Sequence, residues 1–257
     1  MFVVIMLHFE NTNKEIEKFD PKMAVLPIGS LEQHSAHLPI STDTIIAFEV
    51  AKKIANSYYA LLLPPLNYSI SMEHKKFKST VWLSPMTLYY VIKDVATSLK
   101  YHDFKVFVVV NGHGANFLLR NVVREINYDV NLLTILVDLA SMYFGSKTAK
   151  EIHAGDIETS IILYIKPQLV KKEFLEDEIP CVTRDYLDYA PLNEISKSGV
   201  WGEPTKASSN KGKKIFEKIT VDAVKDIENI LKFKKMDNIP LRRENSDLFG
   251  EKHDKNY

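Results

Sequence analysis

The sequence has a single cysteine, Cys181, among its 257 residues. One cysteine cannot form an intramolecular disulfide, and it excludes a zinc module that is built from several cysteines. A metal site in this chain would therefore have to use histidine and carboxylate ligands. Also missing is any apolar run of the ~20 residues that a membrane span needs. The N-terminal apolar run lacks the basic start of a signal peptide, so we expect a cytoplasmic protein with no membrane partner.

An excess of charge of either sign is absent as well, because 33 lysines and arginines balance 33 aspartates and glutamates. A neutral chain gives no electrostatic reason to expect nucleic acid as a partner. Hydrophobic residues make up 46% of the chain and charged residues 26%, which is an ordinary globular composition. We therefore expect no nucleic acid as a partner, and a small-molecule substrate is compatible with this charge balance.

Apolar runs that predict strands alternate along the chain with amphipathic stretches that predict helices. The runs "MAVLPI" (23–28) and "KVFVVV" (105–110) predict buried strands. The second is apolar at every position after its lysine, as expected for a parallel sheet that helices cover on both faces. In "TIIAFEVAKKIANSYY" (44–59), Ile46, Val50 and Ile54 recur every four residues and predict a helix. Ser41 or Thr42 would cap this helix.

The remaining segments continue the alternation. Strands are predicted within 60–66, 79–84 and 131–139, and helices from Pro85 to 104, over 117–126 and over 157–165 with Asp156 as cap. This order predicts the α/β fold class, as a three-layer α/β/α sandwich with a mainly parallel central sheet. We expect one domain over residues 1–232 and a polar tail or oligomer arm over 233–257.

Two polar loops follow the two clearest strands. "GSLEQHSAHLP" (29–39) comes after the first, and "NGHGAN" (111–116) comes after the second. In open α/β sheets, ligands bind at the carboxyl ends of the strands. The two loops are therefore expected to lie on the same rim of the sheet.

These loops carry side chains that could bind metal. Glu32 and His34 are two residues apart, so both project to one side of an extended segment. Asp43 falls in the first turn of the next helix, and His113 lies between two glycines. Two carboxylates and two imidazoles suit Zn, Mn or Fe(II), and Asp43 is the natural candidate to bridge two ions. A single loop histidine is more often an ordinary polar residue, so the argument depends on the four occurring together.

A third segment, "HAGDIETSIIL" (153–163), contains a predicted helix start at Gly155 and Asp156. His153 would stand just before that helix, and Glu158 would lie in its first turn. The alternative is that Glu158 only opposes the helix dipole, and for this segment alone that alternative is favoured.

Together these segments resemble the creatininase (creatinine amidohydrolase) family. The resemblance runs through "LPIGSLEQHSAHLPISTD", "VVVNGHGAN", "HAGDIETS" and, more weakly, "GVWGEPTKASSNKG", in the family's order and over most of residues 20–215. It implies an α/β/α sandwich, a homo-oligomer that is often hexameric, and a two-metal site that hydrolyses C–N amide bonds.

Carried over position by position, the resemblance makes Glu32 and His113 ligands of one metal and His34 a ligand of the other, with Asp43 as the bridge. His153 matches a family histidine that handles protons near the scissile nitrogen. It implies two divalent metal ions as cofactors; we expect Fe(II), with Zn and Mn as alternatives.

The family's glutamate in the active site matches Glu158, while Gly114 and Ala115 depart from the pattern of creatininase itself. Creatininase has a Tyr-Glu pair there, and that glutamate binds the second metal. The second metal would therefore lack a ligand in this chain unless Glu158 or water supplies one. The departure argues against creatinine as the substrate.

Small residues at that place match the wider family, which includes peptide-maturation amidases and an archaeal formamide hydrolase. Lysine and isoleucine are abundant and glutamine occurs twice, which fits a heat-adapted, AT-rich genome. An archaeal origin would favour the formamide hydrolase over creatinine or peptide substrates. We therefore expect deformylation of 2-amino-5-formylamino-6-ribosylaminopyrimidin-4(3H)-one 5'-monophosphate, on the way to riboflavin and coenzyme F420. A lactam or peptide amidase and a non-catalytic scaffold are the alternatives.

A phosphorylated pyrimidine nucleotide needs cationic or amide donors for its phosphate. Four lysines near the weaker motif could serve: Lys206, Lys211, Lys213 and Lys214. The alternative is that they form a solvated helix face.

Overall fold

The structure is a computed structural model that describes residues 6–144, 150–236 and 239. Its sheet has four parallel strands in the order β2-β1-β3-β4. They are β1 (Met23–Ile28), β2 (Leu61–Leu62), β3 (Val106–Asn111) and β4 (Leu133–Asp138). All six residues of β1 and of β3 are buried, as expected for the centre of a parallel sheet.

Eight helices of the described residues connect and cover the strands. They are α1 (Asn13–Phe19), α2 (Thr42–Tyr58), α3 (Pro85–Tyr101), α4 (Leu119–Glu125), α5 (Leu139–Phe144), α6 (Asp156–Ile165), α7 (Leu192–Ile195) and α8 (Ser209–Phe233). On one face of the sheet, Val108 packs in a hydrophobic cluster with α2, α6 and α8. On the other face, Phe107 packs in a second cluster with α3 and α4. The predicted three-layer α/β/α architecture is therefore confirmed.

The predicted start of α3 is confirmed, since Pro85 opens the helix and the Ser84 hydroxyl accepts a hydrogen bond from the Thr87 N–H. Another predicted feature differs. The segment 79–84 is not a strand: Val81 forms an isolated bridge with Leu31, and its side chain is exposed. Val81 and Trp82 stay on the surface because this segment does not pair with an edge strand of the sheet.

The predicted caps of α2 and α6 also differ. Ser41 is the N-cap residue of α2 but makes no hydrogen bond from its side chain, whereas the Thr42 hydroxyl donates to the Pro39 carbonyl. Gly155 takes the N-cap position of α6. Asp156 lies one residue further on, where its carboxylate accepts from Ser160.

The predicted tail, 233–257, lies outside the described residues except for 233–236 and 239. Within the described part of the chain, no helix is both long and apolar enough to cross a bilayer.

The register of the sheet brings the two polar loops together. Ile28 at the end of β1 lies beside Asn111 at the end of β3, and the Gly112 N–H donates to the Ile28 carbonyl at 2.8 Å. The two loops therefore leave the sheet side by side, as the sequence predicts.

Candidate metal centre and active site

Asp43 lies at the centre of a buried cluster at this rim. Its Oδ1 is 3.2 Å from His34 Nε2, and its Oδ2 is 2.8 Å from His113 Nδ1. The Ser30 hydroxyl donates to Oδ2 at 2.7 Å. A Cβ on Gly112 would lie 2.5 Å from the Asp43 carbonyl oxygen, so glycine is needed for this close approach. The two carboxylate oxygens thus face two different histidines, which is the arrangement that a bridging ligand requires.

The other predicted site residues surround Asp43 and its two histidines. Glu32 Oε2 is 3.4 Å from His113 Nε2, and His153 Nδ1 is 3.6 Å from Glu32 Oε1. Glu158, in the first turn of α6, places Oε1 3.9 Å from His34 Nε2, while its Oε2 accepts the Ala154 N–H. The structure therefore brings all six predicted residues together.

Among the described residues, three groups of side chains could each hold a metal ion, because their ligand atoms lie within 4.8 Å of one another; one group adds His74 to the six predicted residues. The groups are Glu32–Asp43–His113, His34–His153–Glu158 and Glu32–His74–His153. The first matches the ligand set expected for one metal. In the second, Glu158 lies near His34. Because Gly114 and Ala115 replace the Tyr-Glu pair of creatininase, the metal at His34 would lack one glutamate ligand, and Glu158 is placed to supply it.

Unpartnered polar atoms test whether a cation fits. Glu32 Oε2 and His34 Nε2 are buried and make no hydrogen bond, although buried polar atoms nearly always have a partner. Burial raises the pKa of Glu32 to about 8, against the opposing charge of His113. A divalent cation would offer both atoms a partner and would stabilise the charged carboxylate. The residues present therefore fit metal ions.

Backbone carbonyls determine which ring nitrogens carry hydrogen. The bonds are His34 Nδ1 to Glu32 O at 3.3 Å, His113 Nε2 to Ile70 O at 2.6 Å, and His153 Nε2 to Gln33 O at 2.7 Å. Because a carbonyl only accepts, each of these nitrogens is a donor, and the other nitrogen has a lone pair when the ring is neutral. Burial disfavours the charged forms of His34 and His113, but the nearby carboxylates hold the pKa of both rings well above its usual value, so a metal ion would displace the second proton of each. A hydrogen bond of this kind is the usual second contact of a metal-binding histidine.

Charges within the cluster shift its pKa values strongly. Burial disfavours ionised Asp43, but the nearby His34 and His113 hold the pKa of Asp43 well below its usual range. Burial lowers the pKa of His153 well below its ordinary value, and the charge of His34 adds to this effect. His153 is therefore a neutral imidazole.

Three residues near the site escaped the sequence analysis. Glu73 and His74 lie in a 3₁₀ turn (Met72–His74), with Glu73 Oε1 3.4 Å from His113 Nε2 and His74 Nε2 3.5 Å from Glu32 Oε1. Burial lowers the pKa of His74 to about 3. The third, Gln33, contacts His74 and His153. The adjacent acid and histidine in "SMEHKK" were the available signal, but no predicted strand placed them on the rim.

A cavity of about 540 Å³ opens over the cluster. Its wall includes Phe117 and Arg184, and the Arg184 guanidinium lies 5.2 Å from the Phe117 ring and donates to the Gly114 carbonyl at 3.0 Å. A Cβ on Gly114 would lie 3.0 Å from Arg184 Nη2. The absence of a side chain at Gly114 therefore leaves room for the Arg184 guanidinium in the cavity wall.

The lysines predicted to bind phosphate do not reach this cavity. None of Lys206, Lys211, Lys213 and Lys214 is among the described residues that line it. Lys206 pairs with Glu203 at 2.7 Å, and Lys211 pairs with Asp156. Within this chain the alternative of a solvated surface therefore applies to these four lysines, because all lie outside the cavity and three of them are exposed.

Comparison with known proteins agrees with this geometry. The family model "Creatininase: Creatinine amidohydrolase" matches residues 10–227. The mycofactocin precursor peptide peptidase of Mycobacterium ulcerans (strain Agy99) is 32% identical over 222 residues, which are 79% of this chain and 83% of that protein. The creatinine amidohydrolase of Pseudomonas putida is 27% identical over 228 residues, 79% of this chain and 86% of that protein.

A solved structure shares the fold. The manganese form of creatininase superposes with a TM-score of 0.73 at 24% identity, and the match covers 87% of this chain and 97% of that one. The family model spans well over half of the sequence, and the mycobacterial relative exceeds 30% identity. The chain therefore belongs to the creatininase family and is a metal-dependent amidohydrolase, a hydrolase of C–N bonds.

Proposed function

We propose that this chain hydrolyses an amide bond at a two-metal centre, with Asp43 as the bridging carboxylate. Glu32 and His113 would hold one cation, and His34 and Glu158 the other. The observation that carries the proposal is that Glu32 Oε2 and His34 Nε2, two of the three buried side-chain atoms without a hydrogen bond in the described residues, both lie in the cluster around Asp43.

Two bound cations would polarise the substrate carbonyl and lower the pKa of a water molecule so that it attacks at neutral pH. The proton transfer falls to His153. Its Nε2 hydrogen is engaged by the Gln33 carbonyl, so Nδ1 is the atom that faces Glu32 and the cluster. Because the ring is neutral, it enters the reaction as a base, takes a proton at Nδ1 and delivers it to the leaving nitrogen.

The identity of the metal stays a proposal. Carboxylate oxygens and imidazole nitrogens suit Fe(II), Zn and Mn alike. We propose Fe(II), with Zn or Mn as alternatives; the solved creatininase described above is a manganese form.

The first test is elemental analysis of anaerobically purified protein beside a Glu32→Ala variant. We expect close to two metal ions per chain in the parent and a clear loss in the variant, because the variant removes an oxygen ligand. Glu173→Ala, on the exposed surface, is the matched control. Near-zero metal in the parent, even after reconstitution, would contradict the mechanism and leave a non-catalytic scaffold.

Two substrates are the alternatives for this site. The sequence predicts a formylaminopyrimidine nucleotide, whose hydrolysis would release formate. The relative that is 32% identical is named for a peptide substrate, which supports peptide-amide cleavage in this chain. Both substrates carry an anion, a phosphate or a terminal carboxylate, and Arg184 in the cavity wall offers a guanidinium to either.

We expect Arg184→Gln to raise KM for the true substrate roughly tenfold, because a charge-assisted hydrogen bond contributes about 1.5–3 kcal/mol and partial exposure weakens it. The measurement is steady-state kinetics on the formylaminopyrimidine nucleotide and on a peptide with a free carboxylate. The control is Arg124→Gln, which replaces an exposed arginine of α4. An unchanged KM on the substrate that is turned over would exclude an anion contact at Arg184.

A further inference from the structure

The Gln33 side chain joins two histidines of the centre to a loop that precedes α8. Its Nε2 is 3.0 Å from His74 Nδ1, from His153 Nε2 and from the Gly199 carbonyl oxygen. Gln33 is buried, with 4% of its surface exposed. Its two amide hydrogens therefore have to be shared among three close neighbours.

Backbone groups determine which way the amide points. The Ser35 N–H donates to one terminal atom at 2.8 Å, so that atom is the oxygen, Oε1. The Gly199 carbonyl only accepts, so the atom that faces it is the nitrogen, Nε2. The two assignments are independent and agree.

The same argument extends to the rings. His153 Nε2 already donates to the Gln33 main-chain carbonyl at 2.7 Å, so it has no lone pair for the amide. The two amide hydrogens therefore go to Gly199 and to His74 Nδ1. Because His74 accepts at Nδ1, its neutral ring carries hydrogen on Nε2, the atom that lies 3.5 Å from Glu32 Oε1.

This is the opposite of what the other three histidines show. In His34, His113 and His153 a backbone carbonyl accepts the hydrogen of one ring nitrogen, so the other nitrogen of the neutral ring has its lone pair toward the centre. His74 instead presents an N–H toward Glu32. A nitrogen that carries hydrogen cannot bind a metal ion.

We propose that His74, oriented by Gln33, is a positioning residue that donates its Nε2–H to Glu32 Oε1 and so directs Glu32 Oε2 to the metal. The inference rests on the two-metal function proposed above. It removes His74 from the ligands, although His74 lies close enough to Glu32 and His153 for all three to hold an ion.

The test is competition for Zn²⁺ between the full-length protein and a chromophoric chelator, with no substrate present. His74→Leu, which removes the donor, is expected to keep two zinc sites but to weaken the Glu32 site about 10–100-fold, the usual effect of losing such an outer contact. His74→Gln carries an amide N–H near the position of Nε2 and is expected to restore most of the affinity.

A second variant tests the direction of the hydrogen bonds with His74 retained. Gln33→Glu replaces the donor by an acceptor, so His74 would have to donate from Nδ1 and would turn a lone pair toward Glu32. We expect zinc affinity to fall as in His74→Leu. His102→Leu, at the exposed end of α3, is the control, and thermal unfolding of each variant checks that it is folded.

The outcomes separate clearly. Loss of one zinc equivalent in both His74→Leu and His74→Gln would make His74 a ligand and overturn the inference. A His74→Leu protein that binds zinc as the parent does would overturn it as well, and would leave the two-metal function intact. A parent that binds no zinc would instead overturn the two-metal function, and the inference with it.

Discussion

An Asp43→Asn protein is expected to bind less than one metal ion per chain and to lose at least ~10³-fold in kcat/KM. Bound cations would supply several kcal/mol of transition-state stabilisation, and each ~1.4 kcal/mol is a factor of ten in rate. Asparagine has nearly the same size as aspartate, so the loss would not come from a cavity. It would come from the amide group, which brings no charge and cannot offer an oxygen to both sides.

The geometry explains why this residue should have so large an effect. Oδ1 faces His34 and Oδ2 faces His113, and the pKa of Asp43 lies well below its usual range because these histidines stabilise the charged form against burial. Elemental analysis and steady-state kinetics measure the two effects. Asp129→Asn, at an exposed site, is the control. A variant with two metal ions and activity within tenfold of the parent would show that Asp43 is not the bridge.

The second large effect is expected from His153→Ala, which should retain its metal while turnover falls by ~10²–10⁴, the range for loss of a general acid–base group. His153 is the proposed base: its ring is neutral, and its Nδ1 faces Glu32. The alanine cannot carry a proton to the leaving nitrogen, but the predicted ligands around Asp43 remain.

The measurement pairs kcat with metal content, because His153 is itself a member of two of the three groups that could hold an ion. His102→Ala, at an exposed position, serves as the control. If His153→Ala were inactive and had also lost metal, His153 would be a ligand and the proton would need another carrier.

The sequence alone determined the rim on which the site lies. Two buried strands, each followed by a polar loop, suffice for that prediction, because parallel strands end at the same edge of a sheet. The pairing of Ile28 with Asn111 then places Asp43 beside His113 across 70 residues of chain. A buried strand followed by a polar loop is a pattern within a short stretch of sequence, so it can be recognised without knowledge of the packing.

The residue pattern alone favoured a helix-dipole role for Glu158 and did not single out His74 or Gln33, and the tertiary structure placed all three side chains in the centre. Helix α6 brings Glu158 to His34 because it packs closely on α8, where a Cβ on Gly212 would overlap the Ser160 carbonyl. Glu73 and His74 lie in a segment without a long strand or helix. It reaches the rim through isolated bridges, from Ile28 to Leu66 and from Leu31 to Val81.

The hydrogen positions also depended on the fold. Groups that are distant in sequence help to decide which ring nitrogen of a histidine carries hydrogen. The Ile70 carbonyl does so for His113, and the Gly199 carbonyl does so for His74 because it orients the Gln33 amide. Residue types and their spacing therefore predicted the candidate ligands. The assignment of a ligand, a base and a positioning residue required the three-dimensional contacts, because a ring nitrogen takes its role from the group that it faces.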